Sequence, residues 1–146
     1  FLKYALRCLN EFNTLFQSEA PLLFSVCAEV KKLIKDFANN FMYKSYTRTT
    51  PARKIDPYLT NKYCTEDELY FGPDFSSKIS KDIPDEKDRA LLVKCCKNFY
   101  ITAIVQLKPR FNFDDPLYDL LDFLSPIKLG ILLQQAFPTF FKGFLY

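Results

Sequence analysis

Seven basic side chains between positions 31 and 54 form the first candidate site in this sequence: Lys31, Lys32, Lys35, Lys44, Arg48, Arg53 and Lys54. Lysine and arginine neutralise phosphate groups without reading base sequence, and Tyr43 and Tyr46 are close enough in the chain to stack on bases. The alternative is the solvated outer face of an amphipathic helix, which ordinarily carries lysine. The pattern therefore predicts contacts with DNA phosphates and leaves a purely structural role open.

A second candidate is acidic and consists of Asp114, Asp115, Asp119 and Asp122. Carboxylates that hold Mg²⁺ support the chemistry of nucleases and transposases. However, Asp114 and Asp115 stand where a helix that begins at Pro116 needs side-chain acceptors, and Asp119 and Asp122 are three residues apart on its solvated face. Because no further carboxylate completes a site by its spacing, we favour the structural interpretation and predict no metal ligand.

The composition narrows the chemistry further. The 146 residues contain no histidine, which removes the usual general base and excludes Ser-His-Asp and Cys-His arrangements. The number of cysteines is odd and they form no C-x-x-C pair, so we expect buried, reduced thiols at Cys8, Cys27, Cys64, Cys95 and Cys96. A net charge of +3 is too small to indicate a nucleic-acid partner by itself. We predict no enzyme activity and no cofactor in this chain.

The apolar spacing predicts an all-α fold. A 3.6-residue period runs through residues 1–17, and a second one runs from Pro21 to Phe41, so these two helices are expected to form a long hairpin. Residues 43–83 are predicted to be mostly loop, with a capping box at Thr65 and Glu68, a short helix over 66–71 and a stop at Gly72. Short helices are expected after Asp114 or Asp115 and after Ser125.

The third long helix is predicted over about 84–108, with Pro84 in its first turn. Acidic residues crowd its start and basic residues its end, as the helix dipole favours. Its apolar stripe is expected to be Leu92, Cys95, Cys96, Phe99, Ala103, Ile104 and Leu107. We therefore predict one helical domain over residues 1–137 and an aromatic tail over residues 138–146. The segment from Leu129 to Tyr146 is too short to span a membrane, and we predict no membrane partner.

Three segments resemble the helical insertion region of hAT-superfamily transposases and their domesticated relatives. They are LNEFNTLFQSEAPLLFSVCAEVKKLIKDFANNFM at 9–42, DEKDRALLVKCCKNFYITAIVQLKPRFNFDDP at 85–116 and LYDLLDFLSP at 117–126. Ser125-Pro126 stands where relatives often have Asp-Pro. The resemblance covers roughly residues 5–138.

This resemblance implies that the chain is the insertion region of a ribonuclease H-like transposase. In that family three catalytic acidic residues surround the insertion, so they would lie before Phe1 and after Tyr146, and none is carried onto this chain. Mg²⁺ is implied only for an intact parent. Since the chain starts within a helical pattern and ends in an aromatic run, we expect a fragment.

The function implied by the resemblance is DNA-end binding and subunit assembly in an intact parent, which would be nuclear and a homo-oligomer. Without the resemblance, the sequence indicates only an intracellular protein. The alternative is a domesticated helical protein-interaction scaffold whose exposed aromatic edges bind another chain. A basic, salt-dependent surface would favour the first function, and an exposed apolar groove would favour the second.

Overall fold

A computed structural model of the chain describes residues 1–17, 26–113, 115–117, 120 and 131. These ranges contain the α-helices α1 (Leu2–Gln17), α2 (Val26–Ala38), α3 (Lys44–Thr49), α4 (Pro73–Asp82) and α5 (Glu86–Leu107). They also contain short 3₁₀ helices at Ala52–Lys54, Thr60–Lys62, Glu66–Glu68 and Lys108–Arg110. No strand occurs in the described ranges apart from a single bridge between Met42 and Tyr63. The predicted all-α class is confirmed.

The centre of the fold is the contact between α2 and α5. The apolar positions of α2 recur every three or four residues, and Val30, Ile34 and Phe37 are completely buried. From α5, Tyr100 and Ile104 enter the same core, and the ring centroids of Phe37 and Tyr100 are 5.3 Å apart. The other elements pack around this pair of helices, since Ala5, Ile55 and Phe71 belong to the same buried cluster.

The first turn of α1 lies beside the residues that follow α2. The Tyr4 hydroxyl donates to the side-chain oxygen of Asn40 over 3.4 Å, and Ala5 is fully buried. Phe1 meets Tyr100 edge-on, with ring centroids 5.6 Å apart. This placement is the one that an antiparallel hairpin of α1 and α2 requires. The predicted start of the second helix at Pro21 lies outside the described residues.

The prediction of a mostly loop segment over 43–83 is wrong, because α3, α4 and three 3₁₀ helices occupy much of it. The sequence of α4, PDFSSKISKD, offers only Phe75 and Ile79 as apolar positions, which is too few to reveal a period. Packing supplies what the pattern lacks: the Phe75 ring lies 5.0 Å from the ring of Phe71, which is buried. In α3, the buried Thr47 hydroxyl donates to the Asn39 side chain.

Gly72 has a different role from the predicted one. The 3₁₀ helix ends at Glu68 rather than at Phe71, although the Glu68 carboxylate does accept from the Thr65 backbone amide over 3.4 Å, as a capping box requires. Gly72 is the N-cap of α4, with a φ of 106° that side chains rarely adopt. Pro73 follows as the first helical residue.

The long helix α5 is confirmed, but its buried stripe differs from the prediction. Its core residues are Cys96, Tyr100, Ile101 and Ile104, whereas Cys95 is exposed. Asp85 is the N-cap, accepting from the Lys87 amide over 2.9 Å, so Pro84 precedes the helix instead of opening it.

The predicted C-terminal helices and the tail over 138–146 lie outside the described residues, except for isolated positions. Among these, the Asp115 carboxylate accepts from the Leu117 amide over 2.9 Å, as expected of a cap.

Candidate nucleic-acid interface

The outer face of α2 presents three of the predicted cations. Because Val30, Leu33, Ile34 and Phe37 point into the core, the intervening Lys31, Lys32 and Lys35 are directed away from it. Lys32 is exposed, and Lys31 and Lys35 are half-buried, as expected when an aliphatic stem lies along the surface and its ammonium reaches solvent.

The 3₁₀ helix Ala52–Lys54 packs against α2 and brings a fourth cation, Arg53, to the same face. Ala52 and Ile55, which precede and follow Arg53 in the sequence, are buried. The Lys108 ammonium donates to the Ile55 carbonyl over 2.9 Å, which ties this turn to the end of α5. The position of Arg53 is therefore fixed by two helices rather than by the local sequence.

Together these elements form an open groove of about 600 Å³, which we call the basic groove. Its described lining residues are Ala28, Lys31, Lys32, Lys35, Pro51, Ala52, Arg53 and Phe113. None of them carries a carboxylate. The Glu29 carboxylate is 3.9 Å from the Lys32 ammonium in an exposed pair of the kind that contributes little stability, so another anion can compete for Lys32. The groove can accept an extended polyanion.

The remaining predicted cations are not brought to this groove. Lys44 lines a separate pocket beside Asn39, Tyr43 and Cys64. Arg48 and Lys54 are exposed and do not belong to the described lining of the basic groove.

Of the two tyrosines predicted to stack on bases, Tyr43 is partly exposed. The Tyr46 hydroxyl accepts from the Asp56 amide over 3.2 Å. The Lys62 ammonium lies 5.8 Å from the centroid of the Tyr46 ring. Tyr46 is therefore already engaged within the fold.

Sequence reasoning missed Phe113 as a groove residue. Its ring stacks on that of Phe111 with centroids 6.3 Å apart. The signal that could have found it is the pair of phenylalanines flanking Asn112 directly after the turn that ends α5.

Asp36 lies near the same face. The pKa of its carboxyl group is raised, because the effect of burial exceeds the lowering effect of the Lys32 charge.

The cysteines are only partly buried, contrary to the prediction. Cys27 and Cys96 are buried, Cys8 and Cys64 are half-buried, and Cys95 is exposed; all five are free thiols. Burial raises the pKa of Cys96 to about 11 and also raises the pKa of Cys8 and Cys64, which keeps these three thiols protonated at neutral pH. The described ranges hold no group of three metal-binding side chains, and Asp114, Asp119 and Asp122 lie outside them.

The segment Glu86–Arg110 is long and apolar enough to cross a membrane by length and composition. The same segment places Cys96, Tyr100 and Ile104 in the core. Core helices of water-soluble proteins also meet this criterion, so it does not decide between the two environments.

No protein-family model, no curated protein and no solved structure matches the chain. The relationship to hAT transposases therefore stays a prediction from the residues quoted above.

Proposed function

We propose that the chain is the helical insertion region of a hAT-like transposase or a transposon-derived relative, and that it contacts DNA phosphates through the basic groove. In an intact parent this contact helps to hold transposon-end DNA, and the helical region contributes to subunit assembly. The single observation that supports the DNA contact best is that Lys31, Lys32, Lys35 and Arg53, which come from two separate segments, line one groove.

The chemistry of the groove suits the DNA backbone rather than the base edges. Lys31 and Lys35 are four residues apart on α2, about 6 Å along its axis, so they follow a chain of phosphates as separate point charges. None of the described lining side chains is an Asn or Gln, the residues that read adenine by paired hydrogen bonds. We therefore infer binding with little dependence on sequence and a strong dependence on salt.

Fluorescence anisotropy with a labelled DNA duplex over a range of salt concentrations tests the DNA contact. Four phosphate contacts give a slope of log K against log salt of about −3.6, and each charge removed reduces its magnitude by roughly one. We expect the K31A/K32A/K35A/R53A variant to lose most of its affinity. The matched control K78A/K81A/K87A/K94A removes four exposed lysines from α4 and α5 and should bind like the parent chain.

A third variant, K44A/R48A/K54A, separates the groove from the wider set of predicted cations. If it loses as much affinity as the groove variant, the groove is not the specific contact. Equal losses in the groove variant and the matched control would reduce the interaction to net charge and contradict the proposal.

The family relationship is tested by the transcript. We expect its reading frame to encode acidic residues on strands before Phe1 and a glutamate on a helix after Tyr146. A transcript limited to these 146 residues would exclude a larger catalytic parent and would leave only a binding role for the chain.

A further inference from the structure

A second groove lies on a different part of the molecule, where α4, the first turns of α5 and the 3₁₀ helix Glu66–Glu68 meet. Its volume is about 590 Å³. Its floor is apolar and consists of Leu69, Phe71, Phe75, Ile79, Ala90 and Val93. Phe71 is buried, whereas Ala90 is exposed and the other four are half-buried. The accessible parts of these side chains offer a bound molecule apolar surface to pack against.

The rim of this groove is acidic. Glu66, Asp67 and Glu86 line it and are exposed, and none of the three forms an ion pair within the described part of the chain. We call the groove with this rim the acidic groove. The three carboxylates outnumber Arg89, the one cation among the described lining residues, so the groove keeps a net negative charge and a partner with positive charges would gain both contacts and long-range attraction.

Two of the nearby cations, Arg89 and Lys97, make contacts with other parts of the fold. The Arg89 guanidinium also lines the groove, but it donates to the Ile83 carbonyl over 2.9 Å and to the Pro84 carbonyl over 2.6 Å. Arg89 therefore holds the turn between α4 and α5. One helical turn beyond Val93, the Lys97 ammonium lies 4.7 Å from the centroid of the Tyr63 ring.

The walls of the acidic groove are held by the core. The Phe71 ring is stacked on Tyr100 with centroids 6.1 Å apart and meets Phe75 at 5.0 Å. Asp85 caps α5 through the Lys87 amide, which fixes the helix start that carries Glu86. A preformed groove costs a partner less ordering free energy than one that must open.

We propose that the acidic groove is a docking site for a basic amphipathic helix of a partner protein. From Glu86 to Val93 the wall formed by α5 spans about 10 Å, or two turns of a bound helix. Apolar residues at positions i, i+3 or i+4, and i+7 of the partner would lie on the floor. Its flanking lysines or arginines would meet Glu66, Asp67 and Glu86.

This inference goes beyond DNA binding and uses a separate surface. The acidic and basic grooves share none of their described lining residues. A polyanion is repelled by the rim of the acidic groove, so DNA is not its occupant. The two proposals can therefore fail independently.

The test uses a labelled 15-residue peptide with leucine at i, i+3, i+4 and i+7 and lysine on the flanking positions, titrated by fluorescence anisotropy with the whole chain. We expect binding that weakens about tenfold in the E66K/E86K variant, since two rim pairs of about 0.7 kcal/mol each give that factor. The control E11K/E29K reverses two exposed or half-exposed helical carboxylates outside the groove and should leave the peptide affinity unchanged.

A second pair of variants tests the floor without changing charge. Ala90→Gln puts a larger polar side chain on the exposed floor position and should also weaken binding several-fold. Thr102→Gln puts the same side chain at an exposed position of α5 outside both grooves and should not. Far-UV circular dichroism verifies that each variant keeps its helices.

Three outcomes would overturn the proposal. A peptide with glutamate in place of lysine, or one with the same composition in scrambled order, could bind equally well. The control variants could weaken binding as much as the groove variants. Finally, the chain could sediment as a dimer that E66K/E86K dissociates, which would make a second copy of the chain the occupant of the groove.

Discussion

At the residue scale, Tyr100 is the largest fully buried side chain of the described residues, and it carries a buried polar group. Its side chain is fully buried, and its ring contacts those of Phe1, Phe37, Phe71 and Phe99. Its hydroxyl is the one buried side-chain polar atom that lacks a hydrogen-bond partner among the described residues. Burial is the main cause that raises the pKa of this hydroxyl, so it stays neutral.

We expect Tyr100→Phe to raise the free energy of unfolding by about 1 kcal/mol, because a buried hydroxyl without a partner costs free energy that the ring alone does not. Equilibrium unfolding in urea, followed by circular dichroism, measures this change. The matched control is Tyr63→Phe, which removes a hydroxyl that donates to the Pro57 carbonyl over 2.7 Å. That control should lower stability by about 1 kcal/mol. Equal losses in both variants would show that the Tyr100 hydroxyl is bonded.

At the element scale, the start of α4 depends on Gly72. Its φ of 106° lies in a region that only glycine populates readily. A Cβ atom at this position would lie 2.7 Å from the Cβ of Tyr4, which belongs to a core-facing part of α1. The entry into α4 and the packing of α1 are thus determined by the same residue.

We expect Gly72→Ala to lower the free energy of unfolding by about 2–4 kcal/mol, since it adds backbone strain to the clash with Tyr4. Urea denaturation of the purified variant measures the loss. Pro73→Ala changes the next residue without either problem and should cost no more than about 1 kcal/mol. If the two substitutions cost the same, Gly72 is not a special position.

Prediction from sequence succeeded where apolar periods are long. The helix α1 and the described part of the second helix follow such periods, and Lys31, Lys32 and Lys35 lie on one face for the same reason, whereas α5 is marked by its acidic start and its long run without proline or glycine. It failed for α3 and α4, where tertiary packing of Phe71 and Phe75 and the buried bond of Thr47 replace a visible pattern. In α5 apolar residues occur on several faces, so periodicity alone could not choose Tyr100 over Cys95.

In the candidate site, too, the sequence pattern predicts some residues and tertiary packing determines the others. That Arg53 joins the lysines of α2 depends on how the turn after α3 packs, and no local pattern encodes this packing. Phe113 reaches the basic groove only because the chain turns at Lys108–Arg110. The acidic groove needs three separate segments and could not be foreseen from any one of them.

At the scale of the whole molecule, one core joins the described elements. Ala5, Phe37, Ile55, Phe71 and Tyr100 belong to the same buried cluster although they come from distant parts of the sequence. The net charge of +3 is small, yet the two grooves divide charge unevenly: four cations line one, and three carboxylates and one arginine line the other among the described residues. Local concentration of charge therefore says more about partners than the net value does.

Whether α5 packs in the core or inserts into a lipid bilayer also depends on the whole molecule. Spanning a membrane with Glu86–Arg110 would place Lys94 and Lys97 near the bilayer centre, at about 3 kcal/mol each. It would also remove Tyr100 and Ile104 from their contacts and expose the apolar face of α2 to water. Both costs favour the packed state over insertion.

We therefore expect the purified chain to remain at the bottom of a density gradient when it is mixed with neutral phosphatidylcholine vesicles. Anionic vesicles make an informative comparison, because the basic groove can attract them electrostatically. Such attraction should disappear at high salt and in the K31A/K32A/K35A/R53A variant, since surface charge and not insertion would cause it. Flotation with neutral vesicles that persists at high salt would contradict this expectation, and α5 would then prefer lipid to the core that it forms with α2.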